Sequence, residues 1–324
     1  MSSRRIFMQQ AGLIAAGLML NPSDIFSRSR ANTVTKIGIQ LYTLRDQLTK
    51  DVKDTIQKVA KTGYNHVETY YGYGGPNDPV KFWGLRPKEL KALLTDNKLA
   101  THSGHYQLND YLTRGNGNDA ALKAQLEIAA TLGQKYLVVP VPPMNLIANL
   151  TGADFQFMAS QLNKAGELAK QSGLKVGYHN HFWEFKQLPD VKGTGYDILL
   201  KETDPNLVVL ELDIFWAEKS GIDPVALFKA HPGRFAMWHV KDIDKTAAGK
   251  ITGPGEDEKG LKDLMGEIKF AEVGTGVVDF KKIFANASEA GVKYAFVEQD
   301  QITIDPFVSI KKSYDYVKSN LLVR

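Results

Sequence analysis

The segment from Lys135 to His181 decides the fold. It reads KYLVVPV at 135–141, FQFMASQLNKAGELAKQS at 155–172 and LKVGYHNH at 174–181. The first and third stretches are apolar and have the length of strands, whereas the second has helical spacing and stops at a glycine. A strand, a helix and a second strand in this order predict a right-handed βαβ unit with parallel strands.

The same alternation continues in both directions and gives eight strand–helix pairs. The predicted strands cover 36–42, 65–70, 99–105, 135–141, 174–181, 207–213, 235–240 and 294–298. The predicted helices cover 51–62, 86–97, 120–132, 155–172, 196–202, 224–230, 280–290 and 306–321. Eight pairs in one chain favour a closed (β/α)8 barrel over an open sheet. The glycine-rich segment 243–278 follows the seventh strand, so we expect it on the functional face as a lid.

The amino terminus has the pattern of an export signal. Arg4 and Arg5 precede a short apolar stretch at 11–20, and small residues precede a possible cleavage after Ala31. This pattern is typical of a twin-arginine signal peptide, and the apolar run is shorter than the about 20 residues that span a bilayer. The alternative is an amphipathic helix of the fold, which is disfavoured because no helical stripe continues past Pro22.

The predicted organisation therefore has two parts, a cleavable signal at 1–31 and a single catalytic barrel at 32–324. Twin-arginine export implies a periplasmic location, a transient contact with the export machinery and no stable membrane insertion after the signal is removed.

Composition excludes several classes of function. The 324 residues include no cysteine, which rules out disulfides, thiolate metal sites and cysteine nucleophiles. The formal net charge is +4, and most of the excess lies in the first 31 residues, which leaves the barrel near neutrality. A nucleic-acid partner therefore gains no support from charge.

Imidazoles and carboxylates collect at the ends of the predicted strands. They are His102 and His105 on strand three, His179 and His181 on strand five and His239 on strand seven, together with Glu68 on strand two, Glu211 and Asp213 on strand six, and Glu298 and Asp300 on strand eight. Taken singly, each residue could be a satisfied core histidine or an acid paired with a lysine. Because strands five to eight all end this way, and barrel chemistry lies at the carboxyl ends of strands, the set predicts a divalent metal site.

Five motifs resemble the xylose isomerase-like TIM barrels, the sugar phosphate isomerase/epimerase group related to endonuclease IV and AP endonuclease family 2. They are IQLYTLR at 39–45, GLKVGYHNHFWEF at 173–185, LELDIFW at 210–216, WHVKD at 238–242 and FVE at 296–298. The resemblance implies one divalent ion, with zinc, manganese or cobalt favoured, held by residues of strands five to eight. Three of the family's ligands match Asp213, His239 and Glu298.

The fourth ligand departs from the family pattern. The family's glutamate on strand five falls on His179, and the nearest acid along the chain is Glu184. Either residue could complete the shell, with His179 favoured. Epimerases of this family use two glutamates on opposite faces of the substrate, so the loss of one favours elimination.

The resulting hypothesis is a metal-dependent enzyme that removes a proton beside the carbonyl of a keto-sugar or 3-keto-glycoside. The candidate proton carriers are Glu298, Lys241, His181 and Glu184, and the candidate substrate-binding residues are Glu68, His105, Trp216 and Tyr42. The partner is thus a small sugar. The alternatives are a ketose epimerase or isomerase, a DNA-repair endonuclease, which the neutral barrel and the export signal disfavour, and a non-catalytic sugar-binding barrel.

Export should depend on the paired arginines. Replacing Arg4 and Arg5 with lysine keeps the charge but removes the twin-arginine feature, so the precursor should stay unprocessed in the cytoplasm. Cell fractionation with immunoblotting of the tagged protein measures this. Normal periplasmic delivery of the double variant would show that the signal had been misread.

Overall fold

The protein forms a closed barrel of parallel strands in a computed structural model that describes residues 33–70, 81–115, 119–253, 256, 257 and 259–323. The predicted signal at 1–31 lies outside these residues. The barrel strands are β1 (Gly38–Gln40), β2 (His66–Tyr70), β3 (Ala100–His105), β4 (Tyr136–Val139), β5 (Lys175–His179), β6 (Val208–Asp213) and β7 (Phe235–Val240), with β10 (Tyr294–Val297) closing the ring between β7 and β1. This confirms the predicted (β/α)8 class.

Helices cover the outside of the ring. They span Arg45–Lys50, Val52–Thr62, Pro87–Asp96, Ala120–Leu132, Gly152–Gln171, Gly195–Glu202, Ile214–Lys219, Pro224–Ala230, Leu261–Gly266, Phe280–Phe284, Ala287–Ala290 and Pro306–Asn320. Threonine or aspartate side chains cap several of them, as Thr151 does for the longest helix by accepting from the Asp154 amide. Within the described part of the chain, no helix has both the length and the apolar character needed to cross a membrane.

Two predicted elements differ from the structure. The first strand stops at Gln40, because its side chain accepts from the Tyr42 amide and starts a 3-10 turn over Leu41–Leu44. The helix predicted over 280–290 is two short helices, and the Asn286 side-chain amide bonds back to the Lys282 carbonyl at the break. The short helix Ile214–Lys219, which follows β6, was missed from the sequence.

Side chains inside the barrel change from apolar to polar along each strand. Near the amino ends, Val209, Met237 and Phe296 belong to one apolar cluster. Glu211 follows Val209 by two residues on β6, and His239 follows Met237 by two residues on β7. Glu298 follows Phe296 by two residues as well. Because inward side chains recur with period two, one apolar layer seals the barrel beneath a polar one.

The segment after β7 folds over the carboxyl end of the barrel, as predicted for a lid. It contains two short antiparallel strands, β8 (Asp242–Ile243) and β9 (Phe270–Ala271). The buried Lys219 ammonium holds it by donating to the carbonyls of Ala247, Gly249 and Glu267. At its other end, the Asp242 carboxylate accepts four backbone amides, those of Ile243, Gly274, Gly276 and Val278.

The prediction that His102 belongs to the functional end of the barrel is wrong. Its ring stacks on Tyr294 with 4.3 Å between centroids, and Tyr294 is the first residue of β10. His66, the first residue of β2, lies in the same cluster. Strand three runs from Ala100 to His105, so His102 lies in its amino-terminal half and only His105 lies at its carboxyl end.

Buried His66 should make the protein less stable in mild acid. Burial, reinforced by His102, lowers the pKa of His66 to about 4 from 6.5, so the unfolded chain takes up this proton first. The free energy of unfolding should therefore fall as the pH drops from about 6.5 to about 4, with a contribution from this residue of up to about 3 kcal/mol.

Urea unfolding between pH 7 and pH 4.5 measures the effect in the wild type and in His66→Gln. The variant should lose less stability over this interval, because glutamine does not titrate. Equal losses in the two proteins would contradict the assignment.

Candidate active site

A cavity of about 500 Å³ opens at the carboxyl end of the barrel. Its polar floor and its more apolar rim are formed by Tyr42, Arg45, Tyr70, His105, Gln107, Pro140, Val141, Met144, His179, His181, Lys241, Met265, Glu298, Asp300 and Gln301. Tyr42, Met144 and Met265 are the exposed apolar members of the rim. The cavity therefore offers charged groups at its base and apolar contacts at its mouth, which suits a ligand with a polar reacting end.

Three side chains from neighbouring strands form what we call the cavity-side group, Asp213, His239 and Glu298. Asp213 and His239 lie side by side in the register of β6 and β7, and Glu298 follows β10 directly. His239 Nδ1 lies 2.6 Å from Glu298 Oε2 and 4.0 Å from Asp213 Oδ2. All three are buried and bring one donor atom each within 4.8 Å of the others.

His179, at the end of β5, joins this group from the side. Its Nε2 lies 3.7 Å from Asp213 Oδ2. Asp213 Oδ2 is buried and receives no hydrogen bond of good geometry. Three of the four predicted ligands, Asp213, His239 and Glu298, therefore bring donor atoms within 4.8 Å of one another, and His179 reaches this group through Asp213. Imidazole and carboxylate donors of this kind suit a borderline divalent ion.

A second cluster is formed by His105, His179, Glu211 and His239. We call it the deep group because Glu211 lies two residues before Asp213 on β6, nearer the amino end, although His105 and His179 also line the cavity. Glu211 Oε2 lies 2.8 Å from His105 Nε2, 3.1 Å from His179 Nδ1 and 3.3 Å from His239 Nε2. Glu68 Oε2 borders the group at 2.6 Å from His239 Nε2. His179 and His239 thus belong to both levels of the site.

Lys241 provides the positive charge at the cavity floor. Its Nζ lies 2.7 Å from Glu298 Oε2, 3.0 Å from Asp213 Oδ2 and 3.2 Å from Asp300 Oδ2. Burial alone would lower the pKa of Lys241, but the three carboxylates, led by Asp213, outweigh it and hold the pKa well above its usual value. Lys241 is therefore an ammonium ion at neutral pH.

The imidazoles of the site differ in charge. Burial lowers the pKa of His181 to about 3, and the Lys241 charge acts in the same direction, so its ring is neutral. Burial also opposes a charge on His239, but Glu211 and Glu298 more than compensate and raise its pKa well above the usual value. Burial likewise lowers the pKa of His179 well below its usual value, so the imidazoles of His179 and His181 both face the cavity in the neutral form, beside the Lys241 ammonium.

Glu184 requires a correction. Its carboxylate accepts hydrogen bonds from the Tyr178 hydroxyl and the His181 amide, both at 2.8 Å, and it belongs to neither candidate metal group. Burial raises the pKa of Glu184 to about 7. Glu184 lies in the 3-10 turn Trp183–Phe185, and its side chain bonds to Tyr178 of β5 and to the loop that carries His181. It therefore supports that loop and does not line the cavity.

Two of the predicted substrate-binding residues also lie elsewhere. Glu68 is fully buried below the cavity, where it contacts His239. Trp216 is the third residue of the helix after β6, with its amide donating to Asp213 Oδ1 at 3.0 Å, and its ring packs against His181 under the lid. The other two, Tyr42 and His105, line the cavity.

Sequence reasoning placed Glu211 and Asp300 in the strand-end set without giving either a role, and it missed Arg45. Arg45 lines the cavity and donates to the Asp300 carbonyl at 2.8 Å. The signal for the acids was present, because Glu211 precedes Asp213 by two residues and Asp300 follows Glu298 by two. Period-two spacing places each pair on one face of its strand.

The comparison with protein families agrees with this architecture. Residues 56–316 match the family described as xylose isomerase-like TIM barrel. The chain belongs to that family. The resemblance seen in the sequence motifs is therefore confirmed.

Two relatives of this chain carry the name inosose dehydratase. The inosose dehydratase of Geobacillus thermodenitrificans is 28% identical over 218 residues, which cover 61% of this chain and 69% of that protein. The inosose dehydratase of Clostridium beijerinckii is 32% identical over 170 residues, which cover 51% of this chain and 54% of that protein. The chain thus spans about half to two thirds of the length of these two relatives.

A solved structure gives a longer match. The crystal structure of a sugar phosphate isomerase/epimerase from Parabacteroides distasonis has a TM-score of 0.72 and 28% identity, and the match covers 91% of this chain and 97% of that one. Together with the dehydratases, it confirms the predicted class, a sugar-modifying enzyme that is an isomerase or a lyase.

Proposed function

We propose that this family member is a divalent-metal-dependent lyase that acts on a keto-sugar or 3-keto-glycoside by removing a proton beside the carbonyl. The observation that carries the proposal is that Glu298 and His179 line the cavity beside His181 and Lys241, with buried Asp213 and His239 directly behind them. The names of the two dehydratase relatives support elimination as the reaction class.

The residues that would hold the ion are His179, Asp213, His239 and Glu298. Their two nitrogen and two oxygen donors suit zinc, manganese or cobalt. When bound, the ion supplies Lewis-acid polarisation of a substrate carbonyl. A non-catalytic sugar-binding barrel has no use for this donor set.

The chain's own residues supply the proton transfers of an elimination. His181, being neutral, and Glu298, whose pKa lies below its usual range because Lys241 and His239 outweigh its burial, can each accept the proton from the carbon beside the carbonyl. Lys241 can donate a proton to the departing oxygen as its carbon–oxygen bond breaks. The electron pair of the broken C–H bond becomes a carbon–carbon double bond conjugated with the carbonyl.

Elimination is favoured over epimerisation by the strand-five residue. An epimerase must return a proton to the opposite face of the same carbon, and the family glutamate for that face is replaced by His179. The second candidate is nevertheless a ketose epimerase or isomerase, favoured by the match to the isomerase/epimerase of Parabacteroides distasonis over 91% of this chain.

We also propose that the enzyme works in the periplasm after twin-arginine export. The support is the sequence of residues 1–31 alone. Phosphorylated sugars are scarce there, which favours an uncharged keto-sugar or glycoside as substrate.

The proposed metal site predicts the effect of removing single ligands. Asp213→Ala and Glu298→Ala should each weaken the binding of zinc or cobalt by more than about 100-fold, because each removes a charged ligand from a four-residue shell. Metal content after dialysis and titration against a chelator measure this. The matched control is Asp300→Asn, which changes a cavity carboxylate in neither metal group and should keep one ion per chain. Full occupancy in both alanine variants would refute the site.

The reaction class is tested by incubating the protein, loaded separately with zinc, manganese or cobalt, with 3-keto-glycosides and with free ketoses in D2O. Elimination should produce the ultraviolet absorbance of a conjugated enone and release the leaving alcohol, and the metal-free protein should do neither. Deuterium at the carbon beside the carbonyl together with an epimeric product, without enone, would instead identify an epimerase.

A further inference from the structure

The two imidazoles of the proposed metal site each have two polar neighbours, one above and one below. In His239, Nδ1 lies 2.6 Å from Glu298 Oε2 and Nε2 lies 2.6 Å from Glu68 Oε2. In His179, Nε2 faces Asp213 at 3.7 Å and Nδ1 lies 3.1 Å from Glu211 Oε2. One nitrogen of each ring therefore points to the cavity-side group and the other to a buried carboxylate below.

This orientation has a chemical consequence for metal binding. A nitrogen that coordinates an ion offers its lone pair, so the proton of a neutral imidazole must be on the other nitrogen. That N–H needs an acceptor, because a buried donor without one is costly. Glu68 provides the acceptor for His239 Nε2, and Glu211 provides it for His179 Nδ1.

The two lower carboxylates are themselves fixed. Glu68 and Glu211 are fully buried, with no exposed side-chain area. Gln40 Nε2 donates to Glu68 Oε2 at 2.8 Å. His105 Nε2 lies between the two acids, 2.8 Å from Glu211 Oε2 and 3.3 Å from Glu68 Oε2. The acceptors thus have set positions and a shared histidine neighbour.

A second metal ion in the deep group is the competing interpretation. His105 Nε2 and His239 Nε2 both approach Glu211 Oε2, at 2.8 Å and 3.3 Å, so an ion there would replace the contacts that both rings make with this carboxylate. An ion there would also need His179 Nδ1 and His239 Nε2, the two nitrogens whose protons the upper site requires.

We propose that Glu68 and Glu211 are positioning residues, which fix the tautomers and ring orientations of His239 and His179 so that both imidazoles present a lone pair to a single ion in the cavity-side group. This inference rests on the proposed metal site and names two further residues on which its affinity depends. Neither carboxylate touches the cavity, so neither is a catalytic residue.

The experiment measures metal affinity and coordination instead of turnover. Glu211→Gln and Glu68→Gln keep the side-chain shape but replace a charged acceptor with a neutral one. Each should weaken cobalt or zinc binding about 10-fold to 100-fold, while the stoichiometry stays at one ion per chain. The visible spectrum of the cobalt form should shift, because a less basic imidazole changes the ligand field. Loss of fold would instead abolish the site and its spectrum altogether, and circular dichroism of the metal-free variants checks folding.

The matched control is Glu184→Gln, the same change at another buried glutamate, which bonds to Tyr178 and the loop and lies in neither metal group. It should keep the wild-type affinity within about threefold. If one of the two glutamine variants fails to fold, the other carries the test, because each acid serves a different imidazole.

Three results would overturn the inference. Unchanged affinity and spectrum in both variants would show that the acids do not position the ligands. Two ions per wild-type chain, one of them lost in Glu211→Gln, would show that the deep group is itself a metal site. Loss of the ion in Glu184→Gln would make Glu184 the strand-five ligand instead of His179.

The failure of the proposed function would look different. In that case the wild type itself would bind no divalent ion, and Asp213→Ala would be indistinguishable from it. A wild type that binds one ion tightly, with Asp213→Ala defective and Glu211→Gln normal, would retain the proposed metal site and reject only the positioning role.

Discussion

The spacing of inward side chains, one every second residue on a closed ring of strands, controls the rest of this structure. A barrel interior is closed to solvent at its apolar end, so every polar side chain inside it must find partners among the few others that point inward. On β6 the inward series is Val209, Glu211 and Asp213, and on β7 it is Met237, His239 and Lys241. Val209 and Met237 seal the barrel. Glu211 and His239 form the lower polar level, and Asp213 and Lys241 form the upper one.

Charge balance follows from that arrangement. Glu68, Glu211, Asp213 and Glu298 are nearly or fully buried within one small volume, and isolated carboxylates there would be very unfavourable. Lys241 compensates the upper acids and His105 the lower ones, with His239 between the two levels. The same balance explains why removing one member should disturb the others, since each acid shares its counter-charge with a neighbour.

The fold was predictable because it depends on repeated patterns. Eight alternating strands and helices required a closed barrel, and strand ends identified Asp213, His239 and Glu298 from the sequence. The details that failed were local. The direction of Glu184 depends on a 3-10 turn, and the burial of Trp216 depends on a lid that packs over it, two tertiary facts that periodicity does not contain. His102 was misplaced because the sequence does not show where along a strand the apolar layer ends.

The anchoring of the lid has a consequence for how this site can change in evolution. Lys219 holds the segment through three main-chain carbonyls, and Asp242 holds it through four main-chain amides. These contacts use no side chain of the lid, so substitutions away from Gly274 and Gly276, where a side chain would clash, leave the anchors intact. Met265, which the lid contributes to the rim, is therefore free to vary. Substitutions at such exposed positions can remodel the mouth of the cavity, and with it the range of accepted ligands, without touching the buried charge network below.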